Sequence, residues 1–168
     1  MRRIRIGVSA CLLGEKVRYD GGDKRDLYVT ETLGRIFEYV SVCPEVDYGL
    51  SVPREALRLV GDPASPRLIA IETGADHTGG MRRWAEMRLT GLDRENLLGF
   101  IFKTRSPSCG VKEVQVYDAQ GRPAAAGSGL FAAAFIHRNP LIPVIDEEDL
   151  RDAVLGANFL HEVLRNRL

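Results

Sequence analysis

The sequence predicts a single-domain α/β protein with a mainly parallel, Rossmann-like sheet flanked by helices. The chain has 168 residues, which is the size of one domain. Apolar runs typical of strands alternate along it with amphipathic segments typical of helices. No repeat, low-complexity segment or linker interrupts this alternation, so the predicted domain covers residues 1–168.

Each predicted element follows from its pattern of apolar residues. The strands are short apolar runs, predicted at 3–9, 38–42, 67–71, 97–103, 111–117 and 141–145. The helices carry apolar residues three or four positions apart, and they are predicted at 30–37, 80–90, 129–138 and 146–167. A polar, glycine-rich loop at 14–22 follows the first strand but lacks the glycine spacing and the lysine of a phosphate-binding loop.

Charge and hydropathy argue against several classes of protein. The 23 Lys and Arg residues balance 23 Asp and Glu residues, so there is no net positive charge to attract nucleic acid. No apolar run approaches the roughly 18 residues of a membrane span. The apolar stretch near the N-terminus is shorter than the roughly 7 residues of a signal-peptide core. We therefore expect a cytoplasmic protein without membrane contact.

Three cysteines, Cys11, Cys43 and Cys109, occupy similar positions relative to the predicted strands. Each lies just past the carboxyl end of a strand, and in a parallel sheet these ends share one edge, where ligands bind. An odd number of cysteines is not typical of a secreted disulfide framework. The pattern therefore favours one shared site, although three buried thiols packed as small apolar groups are an alternative.

The ligand types indicate which metal such a site would hold. The cysteines form no Cys-X-X-Cys pair and the three histidines have no matching spacing, whereas structural zinc needs four protein ligands. Three thiolates suit a 4Fe–4S cluster with one open iron, to which a substrate atom can bind. Spacing alone leaves both the metal site and the buried thiols possible.

Six segments that run through nearly the whole chain surround these cysteines. They are Ile6–Gly14, Val17–Gly22, Val42–Val46, Gly49–Arg54, Gly99–Gly110 and Gly127–Phe131. In this order they resemble the thiouracil desulfidase family, once a bacterial domain of unknown function. The chain departs from the common pattern at Ala10 and Thr104, where serine is frequent, and at Asp23, where histidine is frequent.

The resemblance implies a 4Fe–4S cluster on Cys11, Cys43 and Cys109, with the substrate sulfur bound by the open iron. It implies an iron–sulfur-dependent desulfidase that converts a thiolated pyrimidine such as 2-thiouracil to the oxo base and sulfide without net redox change. Some relatives carry a second domain and act on thiolated tRNA. This chain is too short to hold that domain, so we expect a small thiolated base as substrate and no nucleic-acid partner.

Hydrolysis of a C=S bond also requires a group that activates water. Glu45, two residues after Cys43, is the predicted general base or proton shuttle; a carboxylate at a helix start is its alternative role. Ser106 and Ser108 are predicted to act with it by hydrogen bonding to the substrate ring or the departing sulfur. Their alternative role is to cap the loop.

Four further residues are predicted to bind the substrate. Ser9 and Lys103 lie close in sequence to a cysteine segment, and Asp20 and Lys24 belong to a polar loop that is able to fold over the site as a lid. A charged loop in solvent and a lysine facing solvent are the alternatives.

Two other functions fit the same cysteines. A cluster protein that carries sulfur or iron without turnover would keep the cluster and release no product. A thiol-based redox protein would form a disulfide and hold no iron, but the absence of a Cys-X-X-Cys pair argues against it.

Overall fold

Two four-stranded sheets organise the computed structural model, which describes residues 3–167. The strands are β1 (Ile4–Ser9), β2 (Phe37–Val42), β3 (Leu57–Val60), β4 (Arg67–Ala70), β5 (Phe100–Phe102), β6 (Val114–Tyr117), β7 (Pro123–Gly127) and β8 (Val144–Asp146). The helices are α1 (Pro44–Tyr48), α2 (Thr78–Leu92), α3 (Leu130–Arg138) and α4 (Ala153–Arg165). In the part of the chain described, no helix is long and apolar enough to cross a bilayer.

The first sheet is parallel throughout and has the strand order β2-β1-β5-β8. β1 and β2 pair in register from Ile4 opposite Phe37 to Ser9 opposite Val42. β1 and β5 are buried along almost their whole length, as expected for parallel strands covered on both faces. The predicted α/β fold with a parallel sheet is confirmed.

Helices cover both faces of this sheet. On one face, Phe159 and Val163 of α4 pack in a cluster with apolar residues of β1 and β5. On the other face, Phe100 and Phe102 stack with their ring centroids 4.0 Å apart and meet the rings of α3 edge-on. This aromatic cluster fixes the position of α3 relative to β5.

The second sheet, with the order β4-β3-β6-β7, was not predicted as a sheet, although two of its strands were predicted, at 67–71 (β4) and 111–117 (β6). β3 and β6 pair in parallel, whereas the outer pairs are antiparallel. β3 has only four residues, and β7 consists of Pro, Ala and Gly, which are depleted in strands. Pairing with β6, and not local preference, places β7 in the sheet.

Two predicted helices differ from the structure. The segment 30–37 contains a π-helical turn at Tyr28–Thr32 and a 3-10 turn at Leu33–Arg35, and Phe37 already begins β2. The last helix begins at Ala153 and not at residue 146. Its start is set by Asp152, whose carboxylate accepts hydrogen bonds of 2.9 Å from two backbone N–H groups.

The first turn of α3 supports the loop that carries Cys109. The N–H groups of Leu130 and Phe131 donate to the carbonyls of Pro107 and Ser108, each at 3.0 Å. Gly129 allows this close approach, because a Cβ atom there would lie 2.5 Å from the carbonyl carbon of Ser108. The position of the loop therefore depends on the packing of α3.

We expect Gly129→Ala to lower the free energy of unfolding by about 1–3 kcal/mol, because the added methyl group meets backbone atoms that have to move. Gly91→Ala is the matched control, since a Cβ atom there has no neighbour closer than 3.7 Å and alanine favours the helix. Denaturant unfolding of both variants checks this prediction. Equal stability of Gly129→Ala and the wild type would contradict it.

Candidate active site

A pocket of about 410 Å³ lies where β1, β2 and β5 end. The segments that follow these three strands line it: Ala10–Cys11, Cys43–Glu45 and Lys103–Cys109. The rest of the lining comes from the strand-end residues Ser9 and Val42, from the first loop, and from Arg54, Ala56 and Leu57. The pocket thus occupies the carboxyl edge of the parallel sheet, where ligands bind in open α/β folds.

The three cysteines line this pocket as free thiols. Cys11 lies in a 3-10 turn after β1 that Gly14 closes with a φ of 91°. Cys43 is the N-cap of α1, where Pro44 suits the first helical position. Cys109 lies in the loop after β5. The structure brings the three cysteines to one site, and their role as metal ligands stays a prediction.

Burial disfavours the thiolate form of each cysteine. It raises the pKa of Cys11 to about 11, although the charges of Lys103 and Arg18 oppose the increase. Burial likewise raises the pKa of Cys43 and, by more, that of Cys109. Charge on one thiolate also raises the pKa of another, so the thiols are close enough to interact.

In the described part of the chain, the three thiols share a pocket but are not arranged as a preformed metal site. Residues 3–167 contain no group of three or more His, Cys, Asp or Glu residues placed to hold a metal ion. A single zinc ion would require sulfur atoms about 2.3 Å from one centre. Three soft sulfur donors in one pocket are the ligand type that iron–sulfur clusters use.

Glu45 and Ser108 form a hydrogen-bonded pair in the pocket. The Ser108 hydroxyl donates to Oε1 of Glu45 at 3.1 Å. Oε2 of Glu45 accepts a hydrogen bond from Nε of Arg54 at 2.9 Å and lies 2.7 Å from Nη2 in the same ion pair. Arg54 was not predicted as a site residue, although its place in the Gly49–Arg54 segment, close after Glu45, was a signal.

Ser106 also lines the pocket, but its hydroxyl oxygen is engaged with the backbone. It accepts hydrogen bonds from the N–H groups of Ser108 at 3.2 Å and Cys109 at 3.0 Å. This is the loop-capping role considered as its alternative. Ser106 therefore shapes the turn that presents Cys109 to the pocket.

Ser9, the last residue of β1, and Lys103, the first residue after β5, both line the pocket. The Ser9 hydroxyl accepts from the backbone N–H of Lys103 at 3.0 Å. Burial raises the pKa of Cys109, and the Ser9 hydroxyl beside it opposes that increase. The Lys103 ammonium donates to Glu147 and to two oxygens of Thr104. These contacts use all three N–H groups of the ammonium. Lys103 therefore contributes a positive charge to the pocket and not a free hydrogen-bond donor.

Glu147 was also missed by the sequence analysis. It accepts hydrogen bonds of 2.8 Å from both the backbone N–H and the hydroxyl of Thr104. Burial works against ionisation, but Lys103 and Thr104 together lower the pKa of Glu147. Glu147 directly follows β8, so the rule that selected the cysteines, a functional group after a strand end, applied to it as well.

The first loop contributes some of its predicted residues to the pocket. Lys24 lines it, together with Arg18 and Tyr19, and the Lys24 N–H donates to the carbonyl of Cys11 at 3.0 Å. Asp20 is not among the lining residues, because its carboxylate turns back to accept the N–H of Gly22 at 2.9 Å.

The raised thiol pKa values make a testable prediction for the metal-free protein. Iodoacetamide alkylates thiolates, and a pKa of about 11 in place of 9.0 leaves Cys11 roughly a hundredfold less thiolate at pH 8. Labelling of Cys11 in the folded protein is therefore expected to be slow and to accelerate as the pH rises towards 11. Peptide mass spectrometry measures this, and labelling at pH 8 as fast as in the unfolded chain would refute it.

Known proteins match the chain over most of its length. The 2-thiouracil desulfurase family matches residues 6–148. The uncharacterized protein YbbK of Bacillus subtilis (strain 168) is 30% identical over 152 residues, covering 88% of this chain and 98% of YbbK. The solved structure of the 4Fe–4S-dependent thiouracil desulfidase TudS (DUF523Vcz) is similar with a TM-score of 0.70 at 31% identity, covering 93% of this chain and 99% of that one. The family match includes all three cysteines and Glu45, and the chain belongs to the 2-thiouracil desulfurase family.

Proposed function

We propose that this protein hydrolyses the C=S bond of a thiolated pyrimidine such as 2-thiouracil, giving the oxo base and hydrogen sulfide. One water enters and its oxygen replaces the sulfur, so no electrons are gained or lost. Membership of the 2-thiouracil desulfurase family supports this reaction. The observation that carries the proposal is the pocket in which three thiols and the Glu45–Ser108 pair face the same space.

The donor set fits the 4Fe–4S cluster on which TudS depends. Cys11, Cys43 and Cys109 would hold it as thiolates. A cluster bound by three cysteines supplies an iron without a protein ligand, which acts as a Lewis acid for soft sulfur. Ser9, beside Cys109, and the charge of Lys103, near Cys11, are polar groups of the kind that tune such a site. Three reduced cysteines also fit a reducing compartment such as the cytoplasm.

Glu45 is the group proposed to move protons. As a carboxylate it accepts a proton from water, so that the water oxygen attacks the ring carbon. Its hydrogen bond to Ser108 holds Oε1 towards the pocket, and the serine hydroxyl is placed to orient the same water. Glu45 then passes this proton to the departing sulfur and ends in its starting state. The second proton of the water leaves the new hydroxyl as the ring C=O forms, and it completes hydrogen sulfide. Ser106 and Lys24 line the remaining space, where the ring would bind.

Cluster binding is tested by the metal content of protein prepared without oxygen. The wild type is expected to contain about four iron and about four acid-labile sulfide per chain. Replacing Cys11, Cys43 or Cys109 singly by Ala should lower both values, because each removes one of the chain's three thiols. Circular dichroism provides the control for folding. A folded, iron-free wild type after anaerobic reconstitution would overturn the proposed cluster.

The role of Glu45 is tested by Glu45→Gln, which keeps the side-chain shape and removes the base. We expect kcat for 2-thiouracil to fall by about 10²–10⁴-fold with unchanged iron content, measured as uracil and sulfide released. Glu38→Gln is the control, because Glu38 is half exposed and pairs with Arg5 on the surface.

Two results would count against this function. Wild-type turnover retained by Glu45→Gln would refute the role of Glu45. A cluster-loaded wild type that releases neither uracil nor sulfide would favour a sulfur or iron carrier over an enzyme.

A further inference from the structure

Arg54 is a buried arginine on the wall of the pocket, with 7% of its side chain exposed. Its guanidinium makes contacts in two directions. Nε and Nη2 bind Oε2 of Glu45 at 2.9 and 2.7 Å. Nη2 also donates to the carbonyl of Val17 at 2.9 Å, and Nη1 donates to the carbonyl of Ser51 at 3.1 Å.

The two carboxylate oxygens of Glu45 have different partners. Both short contacts from Arg54 go to Oε2, whereas Oε1 accepts the Ser108 hydroxyl. Arg54 therefore fixes the carboxylate through Oε2, and the orientation of Oε1 towards Ser108 does not depend on solvent. A rigid, permanently charged guanidinium is suited to this task, because its donors are fixed in one plane.

The same arginine holds the first loop. Besides the bond to the Val17 carbonyl, the backbone N–H of Arg54 donates to the carbonyl of Tyr19 at 2.8 Å. Val17, Arg18 and Tyr19 line the pocket on the side of this loop. One residue thus joins the loop that covers the pocket to the carboxylate within it.

We propose that Arg54 is a positioning residue that acts through Glu45. It orients the Glu45 carboxylate towards Ser108 and fixes the loop of residues 15–25 in place over the pocket. This inference rests on the proposed function, because it assigns to Glu45 the proton transfer described above. Arg54 itself moves no proton and forms no bond to the substrate.

Two substitutions separate charge from geometry at this position. Arg54→Met keeps an unbranched apolar stem and removes the charge and all donors. Arg54→Lys keeps the charge, but a single ammonium cannot reproduce the planar set of contacts to Glu45, Val17 and Ser51. Lysine is therefore expected to rescue part of the function that methionine loses.

The decisive measurement is a double-mutant cycle in kcat with 2-thiouracil, using cluster-loaded protein of equal iron content. Arg54→Met is expected to lower kcat by roughly ten- to a hundredfold, because a misplaced catalytic group loses rate on that scale. Arg54→Lys is expected to lie between Arg54→Met and the wild type. The double variant Glu45→Gln/Arg54→Met should be no slower than Glu45→Gln alone, because two residues that act through one group do not add.

Two kinetic results would overturn the proposal. The first is a kcat of Arg54→Met equal to that of the wild type. A double variant whose loss is the product of the two single losses is the other, because it would show that Arg54 acts independently of Glu45. If Arg54→Met does not fold, the same cycle with Arg54→Lys decides the question. Arg122→Met is the control, since Arg122 forms an exposed pair with Asp118.

Hydrogen exchange tests the link to the loop without any turnover. The amides of Val17, Arg18 and Gly21 are hydrogen-bonded within the loop, and Arg54→Met should accelerate their exchange in metal-free protein, whereas Arg122→Met should not. Unchanged exchange in Arg54→Met would refute the link. A wild type without turnover would refute the proposed function, and the exchange measurement would still decide whether Arg54 holds the loop.

Discussion

Parallel pairing of β1 with β2 and β5 is the constraint on which the site depends. It makes three strands end at one edge, so segments from distant parts of the sequence line one pocket. The close contact of β1 and β5 requires Gly7, because a Cβ atom there would lie 2.2 Å from the Phe100 ring. Phe100 in turn packs against Phe131 of α3, and α3 holds the Cys109 loop. The position of one predicted ligand is thus set by packing in the middle of the sheet.

The pocket combines thiols that burial keeps protonated with cations that favour the thiolate. Burial raises the pKa of Cys11, and Lys103 and Arg18 act in the opposite direction. Loading a cluster requires thiolates, so protons leave as the metal enters. In the proposed cluster-bound protein, the cations near Cys11 would make this loss of protons less unfavourable than burial alone would allow. Glu147 holds Lys103 in place through a largely buried ion pair.

Sequence patterns predicted the part of the site that depends on strand ends. Cys11, Cys43 and Cys109 share the pocket because residues that follow parallel strands all lie at the same edge of the sheet. The second sheet escaped prediction because β7 has no strand preference of its own and exists through its pairing with β6. Arg54 escaped for a related reason: the pattern shows an arginine after a proline, and only the fold places it against Glu45.

Two buried ion pairs flank the pocket, and the member that lies nearer to it is the carboxylate in one pair and the ammonium in the other. In the Glu45–Arg54 pair the carboxylate oxygen Oε1 reaches Ser108, and the arginine lies behind it. In the Lys103–Glu147 pair the ammonium is the member that lines the pocket.

Apolar side chains of similar size would often stabilise a fold as well as a buried ion pair does, so stability alone does not account for either pair. Their arrangement gives one side of the pocket a carboxylate, at Glu45, and the side near Cys11 a positive charge. The proposed reaction takes a proton from water while negative charge gathers on sulfur, and this separation suits it. The two pairs therefore provide the polarity of the site, and the parallel strands provide its location.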